Sequence, residues 1–350
     1  MKGKCLAAQC VVLAALLSST QATAQTPEDA NQSITSGRVG FSYRGALNVH
    51  AKFKNIGSFP QQSNPGPASG GGVDRFYDDG FNRVDASGNA GGLTSFWGYQ
   101  HASQLPGNDT IAMNSSSITS SKTSAEKTSD PQHGIEIFCD VPVGRIGHCH
   151  WGLEGAFGFS DLTFVDNRSF SGDVARVSDA FALNGITPPV PPYSGPYSGP
   201  GPLIGDSPTR RTVAIPSGAI VTGQSKLDAS LYELQLGPYI EVSLWKRLSF
   251  SLSGGAAIAR LDSTFEFSET ATIADTGTTL SASGRDLHGD FLFGGFVAGQ
   301  LSLAVTRHFH LMTGAQCHYL GRSSQSINGR EAELDLTRSV FITAGAGFSF

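Results

Sequence analysis

Two groupings of residues in this chain have the types and spacing to do chemistry. His288 and Asp290 stand two positions apart, which on a strand puts both side chains on one face, as a general acid and base pair requires. His318 is a third candidate of the same kind. No nucleophile motif and no second carboxylate cluster accompanies them, so solvated rim residues are the plainer reading and the chain is not expected to be an enzyme. The second grouping is ionic. Arg44, Lys52, Glu136, Glu154, Glu233 and Glu241 all fall at alternate positions between apolar neighbours, which points them, with His50, into one shared interior where opposite charges would pair.

Sulfur and oxygen ligands offer less. Cys139 and Cys149 are ten residues apart and could close a small disulfide loop in an oxidising compartment, or pack unpaired as small hydrophobes. Without a CxxC or clustered histidines their spacing gives zinc little support. Asp74, Asp78, Asp79, Asp85, Ser87 and Asn89 are the hard oxygen donors that calcium takes. The stretch from Asp85 has Ala90 where a calcium loop needs its Gly and Phe96 where it needs a bidentate Glu, so turn chemistry is favoured. No metal and no cofactor is expected.

The elements that position these residues follow from composition and period. Only 39% of the 350 residues are hydrophobic, 43 are glycine, and the formal net charge is −5, a balance that gives nucleic acid nothing to bind. Residues 1–24 read as a signal peptide: Lys2 and Lys4, an apolar run Val11 to Leu17, and the small-residue site Ala22-Thr23-Ala24. Cleavage is expected after Ala24, leaving 25–37 as a periplasmic segment. Cys10 precedes the apolar run, whereas an acylated cysteine follows it. No later stretch holds ~18 consecutive apolar residues, so only a barrel could span a membrane.

Period two runs through eight segments. From Val39 to Phe53 the odd positions read Val, Phe, Tyr, Gly, Leu, Val, Ala, Phe, while the even ones are polar or small. The others are His133 to Val143, His150 to Phe159, Leu231 to Leu244, a segment from Leu248 whose pattern slips near Arg260, Phe291 to Val305, Phe309 to Tyr319, and Val340 to Phe350. Connections two, four and six are tight, at Gly144 to Cys149, Trp245 to Arg247 and Thr306 to Arg307. Connections one and three are long, about 55–132 and 162–226, and five and seven are hairpins longer than a bilayer is thick. A soluble sandwich also alternates, but short turns on one side and long loops on the other describe an outer-membrane barrel. An even strand count puts both termini with the short turns, and Trp151, Trp245, Phe309, Phe348 and Phe350 fall at that rim as an aromatic belt. The fold expected is therefore all-β: an antiparallel eight-stranded transmembrane β-barrel over 38–350 with long extracellular loops. Pro188 to Pro208 holds eight of the 17 prolines and a doubled Tyr-Ser-Gly-Pro, which reads as an extended spacer rather than a ligand contact. Trp97 has no explanation at this level.

On the signal peptide, the strand arithmetic and the final segment Val340 to Phe350, the chain resembles the eight-stranded outer-membrane barrels of Gram-negative bacteria, the superfamily of outer-membrane protein A. That resemblance implies a place in the cell outer membrane among lipid and lipopolysaccharide. It also implies delivery by periplasmic chaperones and the barrel assembly machinery, with Phe348 and Phe350 as the assembly signal. It supplies location rather than activity, and the surface ligand stays unnamed. An eight-stranded barrel is only wide enough for its own side chains, so the inward charges should plug it, which favours a structural or surface-interaction role. The alternatives are a small pore, which needs a hidden strand pair such as Thr110 to Met113 with Arg211 to Val221, and a hydrolase at the rim.

Overall fold

The structure is a computed structural model and describes residues 37–119, 122–124, 126–128, 132–195 and 201–350. The signal peptide, residues 25–36 and the second Tyr-Ser-Gly-Pro lie outside the described residues. Eight strands form one closed antiparallel ring: β1 (Arg38–Leu47), β2 (Gln132–Ile146), β3 (Cys149–Ala182), β4 (Thr209–Trp245), β5 (Leu248–Ile273), β6 (Thr279–Ala304), β7 (Phe309–Tyr319) and β8 (Ser339–Ser349). Each pairs with the next in sequence, and β8 closes the ring on β1 from Arg38↔Ser349 to Leu47↔Val340. Closure satisfies every ladder without leaving an edge in the ring's lower part, as lipid demands.

Over the tight-turn half, the faces are those of a membrane-spanning barrel. Phe41, Ile137, Leu153, Leu234, Ile240, Leu252, Val297 and Leu311 are exposed, while Ser42, Arg44, Glu136, Glu233 and Gln235 are buried. On β4 the apolar exterior runs from Tyr232 to Leu244, ~30 Å along the axis at an ordinary strand tilt. Its upper limit is one ladder rung, Phe159↔Tyr232↔Arg260↔Phe291. The Phe159 and Tyr232 rings sit 5.1 Å apart, and the Arg260 guanidinium lies 4.9 Å over Phe291, its stem on the apolar side and its head toward water.

Above that rung the polarity inverts while the strands continue. Asp161, Asp228, Asp262 and Glu266 now face out, and Leu162, Phe164, Leu227, Leu261, Phe265 and Phe267 face in as a packed apolar core. The slip in period at Arg260 marks this crossing. Residues 162–226 are therefore mostly strand: β3 and β4 stay paired to Ala180↔Thr209, and the loop itself is only 183–208. Beyond Arg211 to Val221 they carry no lipid-facing alternation, because most of their outward residues are polar or charged, among them Asp161, Thr163, Asn167, Gln224 and Asp228.

The first segment also departs from expectation. β1 stops at Leu47; Asn48 takes a positive φ of 56°, and the chain enters a second sheet ordered Arg322–Ile327, Arg330–Asp335, His50–Lys54 and Lys127–Thr128. This sheet continues the wall above β7, β8, β1 and β2 with the same inversion, since Val49, Ala51, Phe53, Ala332 and Leu334 are buried. Within 55–132, Thr110–Ile118 is a strand, but its ladder is with the far end of β3, from Val174↔Ile118 to Ala182↔Thr110, and on its other side Ile118 bridges Phe59. Neither it nor Arg211 to Val221, which is part of β4, adds a strand pair to the ring.

The inversion makes a direct prediction. Leu234→Arg, in the apolar band, should destabilise the folded barrel in lipid by about 2–4 kcal/mol. Thr264→Arg, on the same outer wall above the aromatic rung, should change it by less than about 0.5 kcal/mol. Equilibrium urea unfolding from vesicles measures both, and equal losses would disprove the placement of the boundary.

Candidate functional site

The inward side chains of the lower barrel assemble into two ionic layers. Nearest the tight turns, Arg38 on β1 bridges Asp140 on β2 at 3.1 Å and Glu241 on β4 at 2.6 Å. Higher up, Arg44 is wholly buried and donates from Nη2 to Glu233 Oε2 at 2.5 Å, with Nη1 4.0 Å from Glu136. Its guanidinium carbon stands 3.6 Å from the centre of the Phe341 ring. Room for it comes from β3, where a Cβ on Gly158 would sit 1.9 Å from Arg44 Nη1.

These contacts close into a cycle. His318 Nδ1 lies 2.5 Å from Glu233 Oε1, His318 Nε2 is 3.2 Å from Gln316 Oε1, and Gln316 Nε2 donates to both oxygens of Glu136 at 3.0 Å. Arg44, Glu233, His318, Gln316 and Glu136 thus join β1, β2, β4 and β7 across the lumen. Glu154 sits beside this cycle, lining with Glu136, Ser253 and Thr343 a cavity of about 10 Å³. That is room for roughly one water and none for a hydrated solute. Above the cycle the apolar core begins, and above that Arg330 pairs with Glu269 at 2.9 Å while stacking on Phe59 and Phe267.

Three of the six charges expected inside, Arg44, Glu136 and Glu233, meet in the cycle, and Glu241 joins the layer below. Glu154 lies between the two, level with Asp140 on the ladder and hydrogen-bonded to Ser253, with no cation among the described residues paired to it. Lys52 does not belong to it. The break at Asn48 carries Lys52 into the upper sheet, where odd residues are the buried ones, and its ammonium lies 3.6 Å from Glu126 on the outside. His50 goes with it, its ring 3.9 Å from the same carboxylate. The nearest partner of Arg44 is Glu233, reached across the lumen, rather than its ladder-side neighbour Glu136. Arg38, Gln316 and His318 were missing from the expected network; their even positions on the alternating strands were the available signal.

The other candidates separate. Cys139 and Cys149 are both free: Cys149 pairs with Ile146 and Cys139 with Gly155, six residues farther along β3 and ~20 Å away, beyond disulfide reach. Asp290 accepts the Phe291 amide at 2.8 Å, and His318 is buried in the ionic cycle. Asp78 and Asp79 cap the outer edge of Thr110–Ile118, taking the amides of Ser116 and Asn114, both at 2.6 Å. Burial against that edge raises the pKa of Asp79. Among the described residues no three His, Cys, Asp or Glu side chains gather as metal ligands.

At the long-loop end the loops fold on each other. Trp97 is fully buried, donates to Pro202 O at 2.8 Å and packs 4.8 Å from Tyr193, whose backbone pairs with Tyr99. Tyr193 is thereby docked, so this part of the proline-rich stretch is not an extended spacer. Arg210 grips Asp179 through Nε at 2.8 Å and Nη2 at 2.7 Å, and Tyr77 donates to the same carboxylate at 2.6 Å. Buried Arg75 is caged by main-chain oxygens, among them Gly70 at 2.6 Å and Asp206 at 3.1 Å.

No family model matches this chain, and no curated protein matches it in sequence. Among solved structures it aligns with the attachment invasion locus protein Ail of Yersinia pestis at 10% identity and TM-score 0.27, over 90% of this chain and 99% of that one. It aligns likewise with the outer membrane protease OmpT from Escherichia coli at 10% identity and TM-score 0.27, over 92% and 99%. A FadL homologue of Pseudomonas aeruginosa follows at 9% identity and TM-score 0.19, over 90% of each chain.

Two measurements test this site. Arg44→Met strands Glu233 without its cation and should cost on the order of 3 kcal/mol, with Glu233→Gln in the same chain restoring part of it and Glu136→Gln restoring less. The unfolding temperature on unboiled gels reports the order. At the loop end, the Ser87 hydroxyl and neighbouring amides hold the Asp85 pKa down at about 2. A carboxylate depressed in the folded state stabilises above its unfolded pKa near 4 and loses that contribution as pH falls through its folded value. Protection of the Ser87 and Ser95 amides against hydrogen exchange should thus drop between about pH 4 and pH 2, and Asp85→Asn should show the drop at neutral pH.

Proposed function

We propose that this chain is an outer-membrane barrel that works as a closed anchor for a rigid head, with a structural or surface-interaction role rather than solute conduction or hydrolysis. The observation that carries the reading is the buried Arg44 cycle, which fills the lumen from wall to wall beneath a packed apolar core. A solute would have to part ion pairs in a dry interior and then cross hydrocarbon, and either step alone is prohibitive. The head supports an interaction role because its loops are tied by buried side chains, which lowers the ordering cost of contact with a partner. In this reading β8, with Phe348 and Phe350 outward, presents the assembly signal, and the leaflet around the head is lipopolysaccharide.

Planar-bilayer recording of refolded protein should show no steady open state, and reproducible ohmic steps would overturn the closed-anchor reading. Orientation has its own test: an epitope placed after Gly277, at the exposed tip of the β5–β6 hairpin, should be labelled on intact cells. Labelling of a tag beside Lys246 alone would reverse the barrel.

A further inference from the structure

We infer that the outer wall of the long-loop half holds a binding recess for uncharged, hydroxyl-rich saccharide. The wall is formed by β3 to β6 above the aromatic rung, and register sets its rows. One row reads Asn167, Gln224, Ser268 and Ser283; the next reads Ser169, Thr222, Thr270 and Ser281. Amides and hydroxyls both donate and accept, which matches the two-way hydrogen bonding of a sugar hydroxyl. Outward residues on a wet strand need only be polar, so lysine and glutamate would serve as well; eight uncharged polar residues in two adjacent rows are a chemical choice.

The row beneath supplies the recess. It reads Val165, Lys226, Glu266 and Arg285, and the depression over it is about 420 Å³, within the range of ordinary small-ligand sites. Lys226, Glu266, Arg285, Gln224, Ser268 and Ser283 line it. Its floor is the backbone of Phe267 on β5 and Gly284 on β6, the Phe267 ring itself being buried in the core behind the wall.

Charge decides the ligand class. Lys226 already holds Asp228 at 2.7 Å and Arg285 holds Glu266 at 3.0 Å, so each cation brings its own carboxylate. A phosphate would have to displace a carboxylate already paired, whereas a neutral polyol can bridge both partners. Gln224 donates to Asn167 Oδ1 at 2.7 Å, which leaves its own carbonyl oxygen as an acceptor at the recess. Height gives the source. Lys226 is six residues above Tyr232 on β4, ~15 Å along the axis from the aromatic rung. That is the level of the sugar layer if the barrel stands in a lipopolysaccharide leaflet, a step that rests on the outer-membrane reading.

The experiment uses the full refolded chain in detergent micelles, titrated by calorimetry with dephosphorylated core oligosaccharide, with maltoheptaose and with inorganic phosphate, each at low and high salt. At least one neutral saccharide should bind with an affinity that salt leaves unchanged. Glu266→Gln and Ser268→Trp should each weaken it by ~10-fold, or ~1.4 kcal/mol, with the gel unfolding transition of both variants unaltered. Binding of the core sugar assigns the site to the barrel's own leaflet, and binding of maltoheptaose alone assigns it to a soluble glycan. Binding of phosphate only, binding of neither saccharide, or variants that bind like the unmodified chain would each overturn the site. Failure of the outer-membrane reading shows separately, in the Gly277 epitope.

Discussion

The wall of this protein passes from one solvent into another, on β3 to β6 without a break and through the second sheet above the other four strands, and that constraint orders the rest. In the lower half the exterior must be apolar, and an eight-stranded ring is then too narrow to hold anything but its own side chains. What fills it is necessarily what the outside refuses, namely Arg38, Arg44, Glu136, Glu233, Gln316 and His318. In the upper half water wets the wall, so the same strands turn their apolar residues inward and build an ordinary core. The crossing is sharp because ladder register carries it: Phe159, Tyr232, Arg260 and Phe291 are neighbours on one rung, although they come from four strands.

The ionic cycle and the apolar core secure each other. Ions in a dry lumen persist only when each is paired and hydrogen-bonded. Arg44 is paired through Nη2 with Glu233 and rests on Phe341, with Gly158 withdrawn to admit it, while its Nη1 stands 4.0 Å from Glu136, an ion pair without a hydrogen bond. The core above keeps water from competing for those pairs. The head repeats the device with different chemistry, since Arg75 is satisfied by main-chain oxygens and Asp179 by Arg210 and Tyr77. The long loops are thereby tied to one another by buried side chains, and the outer edge of Thr110–Ile118 is blunted by Asp78 and Asp79.

Much of this was legible in the residue order. Alternation is local, so the eight wall strands, their tight turns and the inward parity of Arg44, Glu136, Glu154, Glu233 and Glu241 follow from neighbours two positions apart. The upper wall was not read for a reason that is itself physical. Alternation there has the opposite sign, and a strand whose outward residues are mostly polar or charged, such as Asp161, Asn167, Gln224 and Glu266, looks like a loop to any reading that expects lipid outside. Lys52 was misplaced by the same continuity: period two runs unbroken from Val39 to Phe53, but the single left-handed residue Asn48 moves everything after it to another sheet.

The sequence by itself thus determined which residues alternate, where the chain reverses and which charges turn inward, because each depends on a few adjacent residues and the pleat. Only the tertiary structure decided which charges meet. Arg44 and Glu233 are 189 positions apart, and Arg44 and His318 are 274 apart. Their encounter depends on the stagger of eight strands around a closed ring, a quantity to which every ladder contributes and which no single segment contains.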